Sequence, residues 1–566
     1  MKIVCLVKQV PEAGAIQFDQ ETKTLRREGV PLELNPFDRF AVQHGVRLRD
    51  AVGGEVVAVT MGPPQAEQAL GEAIALGADR AILLSDRVFA VADTLGTSRT
   101  LALALRKEGF DLVVCGVKTT DSETWQVPPE VAAFLGVPHL TSAVALEPAA
   151  DGGLQARRLA DDADELWRVA TPGLVSFGAP PSDGTGGPAG RGEIQTWTAL
   201  DLVGDVAEDD KRFGQPGSPT RVLAVRDVTP ERARLAASTA GEARERVTAL
   251  LAERATAAPS WEKPPHAAEQ PAASYDCWVL IETRDGRATR TSLELLARGR
   301  ELAGKLGGRV VALALDPLDA GLGRYGAEIV HRVRHNGNAA AALAAVLERH
   351  RPHVLLIPAT AWGRDVGPRA AGELELGMTG DCVGVDIAKA GRLLQQKPAY
   401  GGNIVSVIMG ATTPQLATVR PRMYEPLEPR DVDAEGREEE IAAPPSSFEL
   451  VDRHSHADPG FRLDEVDTVV LFGTADAGVI AERAAGYTRE VVERGDAPRQ
   501  LHIGLLGRAV APRLLVAVGV EGTAEQTGGF VKARVVVSVN GGDGMDDRAD
   551  VVLSGDASTL LPALLA

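Results

Sequence analysis

Two polar loops in the first quarter of the sequence carry the residue types of an anion site. The first lies in Val113 to Gly136, VVCGVKTTDSETWQVPPEVAAFLG. A β-type run ends at Gly116. Asp121, Ser122, Thr124, Gln126 and Val127 follow, and a helix is predicted from near Pro129. Small hydroxyl side chains and unpaired backbone N–H groups ahead of a helix attract phosphate, because the helix dipole acts in the same sense. The same residue types are ordinary helix caps, which is the plainer reading of this loop alone. The second loop lies in FAVADTLGTSRTLALAL, Phe89 to Leu105, with Asp93, Thr94 and Thr97 before or inside the first turn of a predicted helix. It too reads as an acidic cap by itself. Two such loops from neighbouring βα units shift the balance toward a bound dinucleotide.

A third set lies near the C-terminus. Arg489 is in a helical stretch. Gly504-Leu505-Leu506-Gly507 is a tight loop, and Gly519-Val520-Glu521-Gly522 follows the run LLVAVG. Asn540 ends the next run and Asp556 follows the last. Strand-Gly-x-x-Gly-helix can cradle a pyrophosphate. Glu521 inside that loop opposes it, since a carboxylate repels phosphate unless compensated. No Walker A, HExxH, GxSxG or CxxC pattern occurs, and the ten histidines show no pairing with Cys or Ser. A nucleophile-plus-base enzyme is not indicated.

The elements that position these loops are short apolar runs alternating with Ala/Leu/Glu/Arg-rich stretches. KIVCLV, EVVAVTMG, RAILLS and DLVVCG read as buried parallel strands of βα units. The pattern restarts after residue 274 with CWVLIE, RVVALAL, EIVHRV and HVLLIP, and the restart is an internal repeat. Gly53-Gly54-Glu55-Val56-Val57 corresponds to Gly307-Gly308-Arg309-Val310-Val311, and Gly77-Ala78-Asp79 to Gly326-Ala327-Glu328. DLVVCGVKTTDSETWQVPPEVAAFLG corresponds to HVLLIPATAWGRDVGPRAAGELELG. The last hundred or so residues differ: TVVLFG, RLLVAVG, RVVVSVN and DVVLSG are four strands of a smaller α/β unit. Between Glu231 and Ala255 a charged amphipathic helix is predicted, solvated or lying between domains. Thr256 to Ser274 and Arg437 to Ser447 read as connectors, and Ala179 to Glu193 as a mobile loop.

Composition narrows the function classes. With 60 Lys plus Arg against 78 Asp plus Glu, the net charge is −18, which disfavours nucleic acid as a partner. Four well-separated cysteines form neither a disulfide scaffold nor a metal motif and suit a reducing, cytoplasmic setting. No apolar run approaches the roughly 20 residues of a membrane span. A length of 566 residues fits about three or four domains.

At these residues the chain resembles the electron transfer flavoprotein family, with 1–255 similar to its beta subunit and 275–566 to its alpha subunit, fused in one chain. The beta-subunit signature G-x-x-A-x-D-G-D-T-x-Q-V-G-P is matched at Gly116, Asp121, Thr124, Gln126, Val127 and Pro129, while Glu123 and Pro128 replace the family's Asp and Gly. NPFD (Asn35 to Asp38), MGP (Met61 to Pro63) and GADRA (Gly77 to Ala81) match as well. ATAWGRDVGPRAAGELELGMTGDCVGVDI and KPAYGGNIVSVIMGATTPQLATVRP look like the alpha-subunit core. The resemblance implies two similar Rossmann-like, adenine-nucleotide-binding-type parallel-sheet modules and a smaller flavodoxin-like C-terminal FAD domain. The expected divisions are 1–195 and 196–255 (beta-like module and its arm), 256–274 (linker), 275–430 (alpha-like module), 431–462 (connector) and 463–566 (FAD domain).

The resemblance further implies a flavin electron carrier with one or two FAD per chain, AMP being the alternative to FAD in the beta-like half. There Val7, Lys8, Gln9, Asn35 and Gly62 would join Gly116 to Val127. FAVADTLGTS resembles the D-T-x-A-T segment of the bifurcating-like branch, with Gly96 in place of Ala. At the C-terminal site the family's Ser-Arg falls on Thr488-Arg489, its G-Q-T-G on Gly504 to Gly507, and its G-I-S-G-A-I-x-H on Gly519 to Gln526. Its later Asn and Asp fall on Asn540 and Asp556. Leu505 and Leu506 thus replace polar residues, Glu521 replaces Ser, and Gln526 replaces the flavin-facing His. These substitutions imply an FAD that is weakly held, shifted in potential or absent. Implied partners are a flavin dehydrogenase or NADH as donor and a quinone-linked oxidoreductase or other redox protein as acceptor; homodimerisation stays open. The alternatives are an adenine-nucleotide-binding scaffold that has lost its redox flavin and, lacking support from any phosphate-binding Gly-Lys loop, an adenylyl-type enzyme.

Overall fold

The repeat of sequence is a repeat of structure. The computed structural model describes residues 1–566 except 16, 20–23, 27–28, 161–162, 182–191, 208–209, 257, 267–274, 320, 456–462, 464 and 475–484. In the first half, parallel strands Arg80–Leu84, Glu55–Met61, Lys2–Leu6, Leu112–Gly116 and Gly173–Phe177 lie side by side in that order. In the second, Ile329–His335, Val310–Ala314, Cys277–Ile281, Val354–Pro358 and Gln415–Val419 take the same order. Both are the 3-2-1-4-5 order of doubly wound sheets, which opens a crevice at the carboxyl ends of the first and fourth strands. The strands are runs of Val, Leu, Ile and Ala because helices cover both faces. The doubled glycines have one cause in both copies. A Cβ on Gly54 would lie 1.9 Å from the Met1 carbonyl oxygen, and one on Gly308 would lie 2.3 Å from that of Tyr275. Each glycine lets the second strand enter beside the start of the first. The helices Val127–Leu135 and Gly363–Glu373, equivalent in the two copies, pack on each other across the pseudo-twofold, with Gly372 against Glu130 and Ala133.

The C-terminal sheet is parallel and runs Ala485–Tyr487, Thr468–Phe472, Leu514–Val518, Val535–Val539, Val551–Leu553. This is the flavodoxin-like 2-1-3-4-5 order.

The three units exchange edges. From the arm, Thr220–Asp227 pairs antiparallel with Ile404–Gly410 of the second half, and Leu235–Ala237 adds a sixth strand beside Val551–Leu553. The helix is shorter than the predicted 231–255: it spans Ala240–Glu253, because Thr239 caps it by accepting the Glu242 N–H and Leu235–Ala237 is drawn into the open sheet edge. Its Ala243, Val247 and Leu250 pack into the C-terminal core. Arg232 and Arg254 of the arm both reach the fully buried Asp550, at 3.0 and 2.9 Å.

The acidic stretch read as a connector from Arg437 is a strand as far as Ile441. Glu435–Ile441 pairs in parallel with Ile329–His335, and Glu438 and Glu439 meet Arg334 and His331. Cross-strand charge pairs hold it, and its charges protect an exposed sheet edge. Glu449–Ser455 then adds the outer strand of the first half's sheet. In the linker, Trp261 lies under Arg300 and Arg430; 267–274 lie outside the described residues, as does most of the 179–193 loop. Among the described residues no helix is long and apolar enough to cross a membrane. All four cysteines are buried and unpaired, and burial pushes the Cys277 and Cys382 thiols up to about 12.

Candidate functional site

The crevice of the first half gathers most of the residues expected there. Lys8, just after strand Lys2–Leu6, donates its N–H to Asp38 Oδ2 at 2.8 Å and its Nζ to Asp121 Oδ2 at 2.6 Å. Burial works against charge on Asp121, yet the Lys8 ammonium holds it below the ordinary carboxylate range. Asn35 ties the loop down, donating Nδ2–H to Lys118 O and accepting from Thr120 N–H. The Gly116 N–H goes to Asp38 Oδ1 at 3.0 Å. Val7 and Gly62 sit on adjacent strand ends, donating their N–H to Val59 O and Leu84 O. Gln9 reaches Gln65 O at 3.2 Å, and Ser122 bonds Thr119.

Other expected residues face elsewhere. Gln126, at the start of the helix that opens at Val127, is buried between the halves. It donates to Met378 O and Glu130 and accepts from Gly380 N–H. The Thr124 carbonyl oxygen is packed against Gly380. Asp93 caps the helix Thr94–Glu108 through Gly96 N–H, and its other oxygen takes Thr220 of the arm. Thr94 donates to Glu130, while Thr97 is half-buried on the first turn. A Cβ on Gly96 would lie 3.1 Å from Ser218 Oγ, a tight contact.

Glu130 is itself unusual. Ser98, Thr94 and Gln126 surround its carboxyl, and burial, reinforced by Asp93, pushes it up to about 8. Burial likewise pushes Asp38 up to about 7. Raised carboxyls of this kind favour folding while protonated. Their contribution is complete below the unfolded value of about 4 and is lost as pH rises through the folded one. Glu130→Gln, which keeps the shape and removes the titration, is therefore expected to flatten the fall in thermal stability between pH 6 and 9. Melting curves across that range check it, and an unchanged slope would sink the assignment.

A second site opens where the two halves and the C-terminal unit meet. It is a cleft of about 190 Å³ lined by Lys118 and Trp125, by Arg364, Asp381 and Arg420, and by Arg499, His502, Leu506 and Arg508. Its wall is a buried charge network. Glu123 takes Lys118 Nζ and Arg420 Nη2, both at 3.2 Å, and the Gly401 N–H at 3.0 Å. The Glu123 carbonyl takes Lys397 Nζ at 3.0 Å. Asp381 takes Arg364 at 2.8 and 3.0 Å and Arg420 at 2.9 Å. Burial alone would raise Asp381, but Arg364 and Arg420 hold it well below its ordinary value. Burial lowers Lys397 to about 8. The Arg364 guanidinium lies 4.2 Å above the Trp125 ring. Four cations thus meet two carboxylates, and Arg499 and Arg508 add two more cations at the mouth. The cleft favours an anion.

The C-terminal residues expected at a cofactor sit on the carboxyl edge of their sheet, but several side chains turn inward. Thr488 is fully buried after strand Ala485–Tyr487. Arg489 pairs with Glu493 one turn on, at 2.7 Å. Gln526 caps its own loop, accepting from Gly522 N–H and Thr523 N–H, and donates to Glu490. Gly519 closes against the neighbouring strand through Val539 O. Asn540 and Gly555 exchange two hydrogen bonds, and Asp556 caps the helix Ala557–Leu565. Gly504 bonds Arg508 O, the Leu505 N–H goes to Glu525 O, and Leu506 reaches the cleft.

One pairing went unseen in the sequence. His139 accepts or donates at Ser176 Oγ, 3.0 Å away, and meets Asp365 Oδ1 at 2.5 Å. The order Ser-His-Asp is that of a hydrolase triad, but Ser176 is fully buried in a central strand. It is a polar tie between the halves. The cleft residues Arg364, Asp381, Arg420, Arg499 and His502 were missed too. They come from four distant segments, and only the folding of the second half and its contact with the C-terminal unit bring them together.

Comparison with known proteins adds a separate line. The family model described as the electron transfer flavoprotein domain matches residues 22–202 and again 277–446, and that of the electron transfer flavoprotein FAD-binding domain matches 477–531. The chain is 40% identical over 240 residues to the electron transfer flavoprotein subunit beta of Thermoanaerobacterium thermosaccharolyticum, covering 41% of this chain and 90% of that protein. It is 29% identical over 323 residues to the subunit alpha of the same organism, covering 51% and 96%. It is 36% identical over 275 residues to protein FixA of Azotobacter vinelandii, covering 46% and 96%.

Proposed function

Because the chain belongs to the electron transfer flavoprotein family, beta-like and alpha-like parts in one polypeptide, we propose that it is a self-contained electron carrier whose working flavin lies with its ring in the three-unit cleft. FAD supplies the redox chemistry when bound. The chain's own residues bind it, orient it and set the charge around it. Arg364 and Arg420, fixed by Asp381, and the more open Arg499 and Arg508 would compensate the negative charge that a flavin gains on reduction. Trp125 and Leu506 supply apolar wall. The strand-end loops at Gly519–Gly522 and Asn540 would take the adenylate end, where Glu521 is exposed and works against phosphate. Lys8, Asn35, Gly116 and Asp121 would hold AMP or a second FAD in the first crevice. Electrons would enter from a flavin dehydrogenase or NADH and leave to a quinone-linked or other redox protein.

The observation that carries this reading is the excess of cations in a cleft built by all three units at once. The inward turn of Gln526 and the pairing of the exposed Arg489 with Glu493 favour the second reading, a nucleotide-binding scaffold without redox flavin. An absorbance spectrum of purified protein, with FAD and AMP measured in the denatured extract, separates them. At least one FAD per chain, bleached by dithionite, is expected. AMP alone would replace the carrier by the scaffold, and an NADH titration of bound flavin then tests the donor.

A further inference from the structure

On the far side of the second half, away from the cleft, two histidines and a glutamate converge. His331 lies on strand Ile329–His335, His350 ends the helix Ala339–His350, and Glu439 lies on the acidic strand Glu435–Ile441. His331 Nε2 and His350 Nε2 approach the same oxygen, Glu439 Oε2, at 3.0 and 2.8 Å. The three ligand atoms all lie within 4.8 Å of one another. The imidazole rings cross edge-on with centroids 5.0 Å apart, and both pack on Trp278. Arg349 takes the other carboxylate oxygen.

We propose that His331, His350 and Glu439 form a binding site for a divalent transition ion, zinc foremost. Two imidazoles and one carboxylate are a zinc donor set, and one coordination position would remain for water on the exposed His350 side. Two nitrogen donors disfavour Mg²⁺ and Ca²⁺, which require oxygen. Ligand atoms bonded at about 2.0–2.1 Å to a tetrahedral ion stand roughly 3.3 Å apart. The two imidazole-to-carboxylate spacings here need only a few tenths of an ångström of expansion. Burial, then the neighbouring His350, lower the pKa of His331, in the direction that favours the neutral form a ligand needs. Its Nδ1 is buried without a hydrogen-bond partner, so nothing on that side obliges Nε2 to carry the proton. Coordination through Nε2 would hold the single imidazole proton on Nδ1, and Arg349 would orient the carboxylate from behind. Arg349 and Arg437 also oppose the ion's charge, which sets this site below a dedicated structural zinc centre in affinity. Its effect would be to fasten the acidic strand, and with it the passage toward the C-terminal unit, onto the sheet.

The test uses the full-length holoprotein without a histidine tag, stripped with chelator and desalted. Titration with Zn²⁺ by calorimetry is expected to give one ion per chain and a rise in melting temperature, and Mg²⁺ neither. Co²⁺ is expected to give the visible bands of a tetrahedral site. His350→Ala and Glu439→Gln, both at the surface side, are expected to weaken zinc binding at least tenfold while the circular dichroism spectrum and flavin content stay unchanged. Absence of stoichiometric binding to the parent protein overturns the proposal. So does undiminished binding by both folded variants, which would assign the ion to adventitious surface groups.

Discussion

Asp381→Asn is expected to remove about 3–5 kcal/mol of stability, the usual cost of breaking a buried ion pair from one side. The variant isolates charge. Asp381 has a positive φ of 60°, a conformation Asn adopts readily, and an amide fills nearly the same space. What it cannot do is neutralise Arg364 and Arg420, each within 3.0 Å of the carboxylate. With Lys118 and Lys397 behind them, the interior would then hold four cations against the single carboxylate of Glu123. For a unit of this size the loss corresponds to a fall of about 10 °C in the first thermal transition, at roughly 2–4 °C per kcal/mol. Glu375→Gln makes the contrast. It breaks the Arg99–Glu375 bridge, which joins the same two halves at 2.7 Å but leaves the Glu375 side chain 64% exposed. A change under about 1 kcal/mol is expected there. The pH dependence has a definite sign. Asp381 is depressed in the folded state, so its contribution is present above the unfolded value of about 3.9 and lost as pH falls through the folded one. The gap between Asp381→Asn and the parent should hold from pH 5 to 8 and close in acid. Equal melting of the two proteins at pH 7 would mean that the network does not hold the halves together.

Glu123 shows what the sequence conveys and what it hides. Local pattern placed its loop between a strand and a helix, since a buried apolar run, a polar interval and a Pro-started helix are all visible within one stretch of chain. Why Glu stands where the family has Asp was not visible. The longer side chain reaches Lys118, Arg420 and the Gly401 N–H, and the last two lie some 280 to 300 positions away. The doubled glycines were legible as a repeat, and their cause, close entry beside the first strand, is the same in both copies. The acidic run at Glu438 to Glu440 was misleading because charge on an edge strand looks, in one dimension, like charge on a loop. Its partners, Arg334 and His331, are a hundred residues earlier. Gln526 marks a further limit. Its position in the motif suggested contact with flavin, yet a Thr three residues before it makes a reciprocal cap. Motif position located the loop and could not orient the side chain.

The charge of the cleft leads to the other large effect. Arg499 lines the mouth, and burial lowers the pKa of its guanidinium. Unlike those of Arg364 and Arg420, its guanidinium makes no hydrogen bond or close ion pair among the described residues, so its charge is available to a ligand. A flavin gains negative charge on reduction, so a cation beside the ring stabilises the reduced form more than the oxidised one. One charge at about 5 Å with an effective dielectric constant near 20 is worth of order 3 kcal/mol. For a two-electron couple that is about 70 mV. Arg499→Leu, which retains bulk and loses charge, is expected to lower the flavin midpoint potential by several tens of millivolts and to weaken retention of the reduced flavin. Arg499→Lys should recover most of the potential, because the effect is one of charge and needs no forked geometry. Spectroelectrochemical titration of flavin-loaded protein reads both. A structural role would move melting temperature without moving the potential, and the Lys variant would not restore it. Should Arg499→Leu keep its flavin at an unshifted potential, the ring does not lie in this cleft. The cationic wall would then serve another anion.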